Sequence, residues 1–216
     1  MTSGVEAAAA GPAKTGPKAA RTNKEASILA EACRLFATNG FAGTSIRDIA
    51  EAADISNAAL YHFFADKNEL FARIFVAVTE RLCGFVEARI DANETAAQRL
   101  RAFMRGYGQF FEDHTHECVA ASLSFRALAD SPRRDEAIYW RDRYEGILRA
   151  IISQGMESGE FRPGDAALTG RAVLSCLNWL HRWYNPAGRM KPVEIVDGYA
   201  DIILGGVAAP AKARTS

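Results

Sequence analysis

Residues 44–70 read TSIRDIAEAADISNAALYHFFADKNEL and contain three successive helix starts. Ser45 precedes an apolar segment and is followed three residues later by Asp48, a carboxylate variant of the capping box. Ser56 precedes a second short segment, and Asp66 precedes a third, much longer one. This spacing predicts two short helices joined by a tight turn and followed by a long helix.

A further helix is predicted before this stretch. Apolar residues between Ile28 and Phe36 recur at the spacing of one helical face. Asn39-Gly40 then supplies a stop, because glycine adopts the left-handed conformation without steric cost. This helix and the two short helices together form a helix-turn-helix unit, in which the first short helix holds the second so that its N-terminal residues enter a major groove.

The remaining chain also shows helical periodicity. An apolar stripe runs from Leu100 to Phe111, and further helices are expected at about residues 115–129, 134–158, 165–184 and 192–207. We find no alternating pattern of useful length, so the sequence predicts an all-α fold. The expected divisions are a disordered basic arm at 1–21, the helix-turn-helix domain at 22–68, a helical ligand-binding and dimerisation domain at 69–208, and a disordered tail at 209–216.

Composition and net charge restrict the kinds of partner that this protein is expected to bind. Lys+Arg and Asp+Glu are both 26, so the net charge is zero and any nucleic-acid surface must be local. The basic arm is either a solubilising tail or a segment that touches DNA phosphate. No apolar run approaches the roughly 18 residues that a membrane span needs. The start lacks an apolar signal core, and the four cysteines show no CxxC spacing, so we expect a cytoplasmic protein without a membrane partner.

Sequence signals for catalysis or metal binding are weak. His114 and Cys118 share a helical face, with His116 nearby, which leaves a metal site open as an alternative. The favoured interpretation is a polar helix start with a buried thiol behind it, so no metal ion or other cofactor is expected. No GxSxG, HExxH or Walker-type motif is present, which argues against an enzyme.

The DNA-facing surface is predicted from the helix starts and the second short helix. Small side chains let a helix approach base edges, asparagine offers both donor and acceptor, and helix N-termini present free N–H groups to phosphate. The expected DNA contacts are Thr44, Ser45, Arg47, Ser56, Asn57, Ala58, Ala59, Tyr61, His62 and Lys67.

This pattern resembles the DNA-binding domain of the tetracycline-repressor (TetR) family over about residues 22–74. The resemblance implies a dimeric transcriptional regulator, usually a repressor, that binds double-stranded operator DNA and carries a variable C-terminal ligand domain. Two positions depart from the family pattern, since Asp54 and Ala58 stand where glycine is frequent. Aspartate tolerates the left-handed region, so we expect the turn to survive. We expect the methyl group of Ala58 to affect which operator sequence the protein recognises.

A second, shorter stretch, from Leu174 to Pro186, is similar to a TetR subset that senses acyl-coenzyme A thioesters. Trp179 and Trp183 share a helical face beside Arg182. This arrangement is either aromatic packing or a cationic and aromatic patch at a pocket mouth. The expected ligand contacts are Phe103, Tyr107, Phe110, Arg126, Trp179, Arg182 and Trp183.

Alternative functions remain open at this level. One is a regulator of efflux that senses aromatic or cationic drug-like compounds, for which pocket carboxylates are expected. Another is a helical ligand-binding or catalytic protein without any DNA function.

A homodimer is predicted from the last two helices, which carry apolar residues on more than one face. One face packs in the protein's own core, and the other is expected to meet the twin helix pair in a four-helix interface. These apolar residues are Val173, Leu174, Leu177, Leu180, Ile195, Val196, Tyr199, Ile202 and Ile203.

Overall fold

The computed structural model describes residues 17–123, 128–129 and 131–205, with side chains from Arg21 onward. Regular structure in these ranges is entirely helical, which confirms the all-α prediction. None of the helices described is long and apolar enough to cross a membrane. Residues 1–16 of the predicted arm, the predicted tail at 209–216 and Arg126 lie outside the described residues.

The helices follow one another along the chain with short connections. Their bounds are α1 Pro17–Asn39, α2 Ile46–Ala52, α3 Asn57–Tyr61, α4 Lys67–Glu87, α5 Ala96–Asp113, α6 Thr115–Ser122, α7 Arg134–Glu157, α8 Ala166–Asn178, α9 Leu180–Trp183 and α10 Pro192–Gly205.

The helix starts in residues 44–70 fold as their local sequence predicts. The Ser45 side chain accepts from the Asp48 N–H, while the Asp48 carboxylate accepts from the Ser45 N–H, which completes the capping box of α2. Ser56 caps α3, and Asp66 caps α4. Asp54 holds the turn between α2 and α3 at φ 52°, so the turn survives without glycine, as expected.

One continuous apolar core runs from the helix-turn-helix unit into the rest of the molecule. Helix α4 passes through the predicted boundary at residues 68 and 69 without a break and buries Leu70, Phe71 and Ile74. Helix α6 packs against both α1 and α4. The two halves of the chain are therefore connected by a shared helix and by a second packed contact.

Close packing of α5 against α10 depends on Gly108. A Cβ atom at this position would lie 2.6 Å from Cγ2 of Val196, a distance that real side chains do not reach. The neighbouring face of α5 is held to α10 by ion pairs from Arg101 to Asp201 and from Arg105 to Asp197. The glycine thus sets the separation of these two helices.

Three helix bounds differ from the sequence-based expectation. Helix α1 begins at Pro17, inside the segment predicted as an arm, and α6 ends at Ser122 rather than near residue 129. The single helix expected at 165–184 is interrupted at Trp179, whose N–H bonds to the carbonyls of Ser175 and Leu177. Periodicity alone does not reveal this interruption, because apolar residues continue on both sides of it.

Candidate DNA-binding surface and ligand cavity

Helix α3 presents the exposed face of the helix-turn-helix unit. Ser56 Oγ accepts from the Ala59 N–H at 3.1 Å, which fixes the start of this five-residue helix. Asn57 and Ala58 are exposed at its first turn. Tyr61 is 55% exposed although it is a large aromatic residue, while its neighbour Leu60 is fully buried. The face is therefore available to a groove, and its opposite side anchors it in the core.

Other predicted contacts surround this face. Ser45 and Arg47 are exposed at the start of α2, and His62 is exposed at the end of α3. The Ser45 N–H donates to Asp48 and lowers the pKa of that carboxyl group. The cap carboxylate therefore stays ionised at neutral pH. We retain these three residues as predicted DNA contacts.

The structure places the side chains of Thr44 and Lys67 in hydrogen bonds within the protein. Thr44 is only 1% exposed, and its hydroxyl lies 2.9 Å from the Gly40 carbonyl and 3.2 Å from that of Leu35. The Lys67 ammonium donates to the carbonyls of Phe41 and Thr44, each at 2.9 Å. Both side chains therefore hold the α1–α2 connection, and contact with DNA phosphate stays a prediction for each of them.

Thr44→Val is expected to destabilise the protein by about 1–2 kcal/mol, since it removes a buried hydroxyl while keeping the side-chain shape. Urea unfolding followed by circular dichroism measures this loss. Thr38→Val is the matched control, because the Thr38 hydroxyl also bonds a carbonyl but is exposed. We expect Thr38→Val to lower the free energy of unfolding by less than about 0.5 kcal/mol. Equal losses at both positions would contradict the structural role of Thr44.

A cavity of about 700 Å³ opens in the C-terminal half. This volume lies within the range of sites for small organic ligands and cofactors. Helices α4, α5, α6, α7 and α9 and the end of α8 contribute its walls. The lining residues are Phe75, Val78, Thr79, Leu82, Tyr107, Cys118, Ala121, Ser122, Leu123, Arg141, Tyr144, Asn178, Trp179, His181 and Arg182.

Three of the predicted ligand residues, Tyr107, Trp179 and Arg182, are brought together in this cavity. Phe103 and Phe110 are not part of its lining, because they are 0% and 1% exposed and pack inside the core. Ligand contact for these two phenylalanines therefore stays a prediction that the present cavity lining does not support.

Trp183 also lies apart from the main cavity. It lines a separate, smaller depression of about 230 Å³ together with Tyr184 and Arg189. The interruption at Trp179 explains this separation, because it ends the continuous helical face that the i, i+4 spacing of the two tryptophans assumed.

The sequence interpretation missed Arg141, Tyr144 and His181, all of which line the cavity. Arg141 and Tyr144 are three residues apart on α7, so they share a helical face. This spacing was a usable signal, but it does not say which face of α7 meets the cavity. His181 directly precedes Arg182 and lies on α9, which begins after the interruption at Trp179.

The charged side chains that line the cavity are both arginines. The Arg182 guanidinium lies 5.3 Å from the ring centroid of Trp179, and Arg141 pairs with Asp142 at 2.7 Å. Partial burial lowers the pKa of His181, so this ring is neutral at pH 7. Among the described lining residues there is no aspartate or glutamate. Arg182 is therefore the lining cation for which the described residues supply no carboxylate partner.

The remaining polar groups of the lining stay protonated. Burial raises the pKa of the Cys118 thiol to about 12, and burial also raises the pKa values of the Tyr107 and Tyr144 hydroxyls. These groups can therefore act as neutral hydrogen bond donors, and the Cys118 thiol is not activated as a nucleophile.

His114 belongs to a polar cluster beside the cavity. The Arg81 guanidinium contacts the Glu117 carboxylate and lies 3.1 Å from Nε2 of His114. In the part of the chain that the structure describes, no three potential ligands form a metal-binding group. Cys118 lines the cavity, whereas His114 contacts Arg81 and Glu117.

A helix-turn-helix unit that shares a long helix with a cavity-bearing helical body defines a DNA-binding regulator with a ligand domain. Two family models match this chain: "Bacterial regulatory proteins, tetR family" over residues 28–74, and "Tetracyclin repressor-like, C-terminal domain" over residues 93–207. The chain belongs to the TetR family. It is a transcriptional regulator and not an enzyme.

Individual relatives extend this similarity over most of the chain. The HTH-type transcriptional repressor KstR2 of Mycobacterium tuberculosis is 28% identical over 190 residues, which are 86% of this chain and 93% of KstR2. The crystal structure of the TetR family regulator PfmR from Thermus thermophilus is 38% identical with a TM-score of 0.76, covering 84% of this chain and 99% of PfmR. AibR, solved in complex with isovaleryl coenzyme A and operator DNA, is 26% identical with a TM-score of 0.75, covering 83% of this chain and 97% of AibR.

Proposed function

We propose that this protein is a homodimeric repressor that leaves its operator when an acyl-coenzyme A thioester, or a related lipid or aromatic catabolite, enters the cavity. The observation that carries this proposal is the composition of the cavity. Its walls are largely apolar, its charged groups are Arg141 and Arg182, and no carboxylate is among the described lining residues. An apolar acyl chain with a polyanionic carrier fits this combination.

The exposed Trp179–Arg182 pair is the proposed contact for the carrier. Trp179 is 61% exposed, and its indole offers a face on which a planar base stacks. Arg182 is exposed beside it and has no carboxylate partner among the described residues. Its guanidinium is therefore available for phosphate oxygens.

Two helices connect the cavity to the DNA-binding unit. Helix α4 lines the cavity through Phe75, Val78 and Leu82, and its first turn carries Lys67. Helix α6 lines the cavity through Cys118 and packs against α1. A ligand that fits only one arrangement of these helices shifts the spacing of two recognition helices in a dimer, which couples ligand binding to DNA binding.

The proposed dimer uses the outer faces of α8 and α10. Leu168 is 65% exposed and Ile202 is 55% exposed, although both are large aliphatic residues. The AibR structure, which contains isovaleryl coenzyme A and operator DNA, supports the combination of a thioester and an operator in this fold.

A second candidate is a regulator that senses aromatic drug-like compounds. The aromatic lining, formed by Phe75, Tyr107, Tyr144 and Trp179, favours this class. The same lining offers no described carboxylate to a cationic compound, which weighs against the cationic members of the class. The competing ligands are therefore best compared directly on one protein.

Calorimetric titration with isovaleryl-, octanoyl- and benzoyl-coenzyme A, and with the aromatic cation ethidium, compares the thioester class with the cationic members of the second class. We expect at least one thioester to bind and ethidium not to bind. Arg182→Ala is expected to weaken thioester affinity roughly 10- to 100-fold, because it removes a charge-assisted contact.

Arg189→Ala is the matched control for this titration, since Arg189 lines the smaller depression and not the main cavity. Its thioester affinity should equal that of the wild type. Binding of ethidium without any thioester would overturn the proposal in favour of the second candidate.

A further inference from the structure

Tyr144 is an exception among the polar residues of the cavity. Like Tyr107, it lines the cavity and is largely buried, with 7% of its surface exposed. Its hydroxyl oxygen is buried and has no hydrogen bond partner among the described residues. Buried hydroxyl groups are nearly always paired in folded proteins, so this one calls for an explanation.

The ring of Tyr144 does not require the hydroxyl for its own packing. Its centroid lies 4.9 Å from that of Phe103, and the two ring planes meet at 30°. Phe103 is completely buried, which fixes one side of the Tyr144 ring in the core. A phenylalanine at position 144 would keep this contact. The hydroxyl is therefore not explained by the apolar packing around it.

The Tyr144 hydroxyl is more deeply buried than the charged part of the site. Trp179 and Arg182 are exposed, whereas Tyr144 is buried on α7. The residues Val78 and Leu82 of the lining are also buried and apolar. A polar ligand group that meets Tyr144 must therefore belong to the part of the ligand that enters the apolar interior.

We propose that the ligand carries an oxygen atom, as a carbonyl or hydroxyl, on its buried acyl part, and that this oxygen accepts a hydrogen bond from Tyr144. This inference rests on the proposed thioester function and adds a ligand class to it: oxygenated acyl groups rather than plain saturated ones. The protein discriminates between these two kinds of acyl group because a plain chain leaves the Tyr144 hydroxyl without a hydrogen bond partner, whereas an oxygenated chain supplies one.

The test compares two probes that differ by one oxygen, octanoyl-coenzyme A and 7-oxo-octanoyl-coenzyme A, with hexanoyl- and 5-oxo-hexanoyl-coenzyme A as a shorter pair. Calorimetry on the full-length wild type should give about 10-fold tighter binding of the oxo member in at least one pair. Tyr144→Phe should bind both members of that pair within about 2-fold of each other, because it lacks the donor.

Tyr139→Phe is the matched control, since Tyr139 lies on the same helix but is exposed outside the cavity. It should keep the wild-type preference. Binding of both members without preference by the wild type, or a preference retained by Tyr144→Phe, would overturn the inference while leaving a thioester sensor in place. If neither pair binds the wild type, this inference fails, whereas the thioester function fails only if isovaleryl- and benzoyl-coenzyme A do not bind either.

A second readout needs no ligand. Tyr144→Phe should melt at the same temperature as the ligand-free wild type or at a higher one, because the substitution removes an unpaired buried hydroxyl and keeps the ring. A clear fall in Tm would show that the hydroxyl is satisfied inside the protein, and would overturn the inference.

Discussion

Ile202→Glu is expected to convert the proposed dimer into monomers and to lower operator affinity by about 100-fold or more, because two linked half-site contacts become one. Ile202 is 55% exposed on α10, so glutamate in its place leaves the protomer core intact. In a dimer the same carboxylate would be buried without a partner, which is strongly unfavourable. Light scattering gives the mass, and fluorescence anisotropy gives the operator affinity.

Tyr139→Glu is the control for this substitution. Tyr139 is 56% exposed, a fraction close to that of Ile202, but it lies on α7 rather than on the α8–α10 face. It should remain dimeric and bind operator normally. Dimers of Ile202→Glu with unchanged affinity would remove α10 from the interface.

Asn57→Ala is expected to lower affinity for the operator roughly 10- to 100-fold while leaving affinity for unrelated DNA nearly unchanged. Asn57 is exposed at the first turn of α3, where its amide can both donate to and accept from a base edge. Tyr61→Ala should instead lower affinity for both DNAs by about 10-fold, since a contact with the DNA backbone carries no sequence information.

Anisotropy titrations on an operator fragment and on a scrambled fragment of equal length separate these two effects. Asn93→Ala, in the exposed connection between α4 and α5, is the matched control and should not change either affinity. If Tyr61→Ala reduced only specific binding and Asn57→Ala reduced both, the assigned roles would be reversed.

The helix-turn-helix unit was predictable because its determinants are local. Caps at Ser45, Ser56 and Asp66 act within three residues of themselves, and the turn at Asp54 depends on a single φ angle. Local sequence contains all of this information. The helix starts and the turn were therefore placed correctly.

Polar contacts between distant parts of the chain could not be predicted in the same way. Lys67 finds its carbonyl partners 23 and 26 residues earlier in the sequence. The position of a lysine in the first turn of a helix does not reveal that it also bonds a distant connection. The burial of Thr44 could not be predicted for the same reason, since burial is a tertiary property.

The cavity was only partly predictable. An aromatic stripe on α5 identifies which face is apolar, but Phe103 and Phe110 fill the core while Tyr107, on the same helix, reaches the cavity. Helical periodicity does not separate a core residue from a lining residue, because both are apolar and face inward. Tyr144 was missed because an unpaired hydroxyl is visible only once its neighbours are in place.

Coupling between ligand and operator binding is tested by an anisotropy titration of the protein against its own upstream DNA, with and without saturating thioester. We expect specific binding that one of the thioesters weakens, together with an equal weakening of thioester affinity when DNA is present, because the coupling is reciprocal. Specific binding that no thioester changes would contradict the thioester sensor, and the absence of specific binding would contradict the operator role proposed for this DNA.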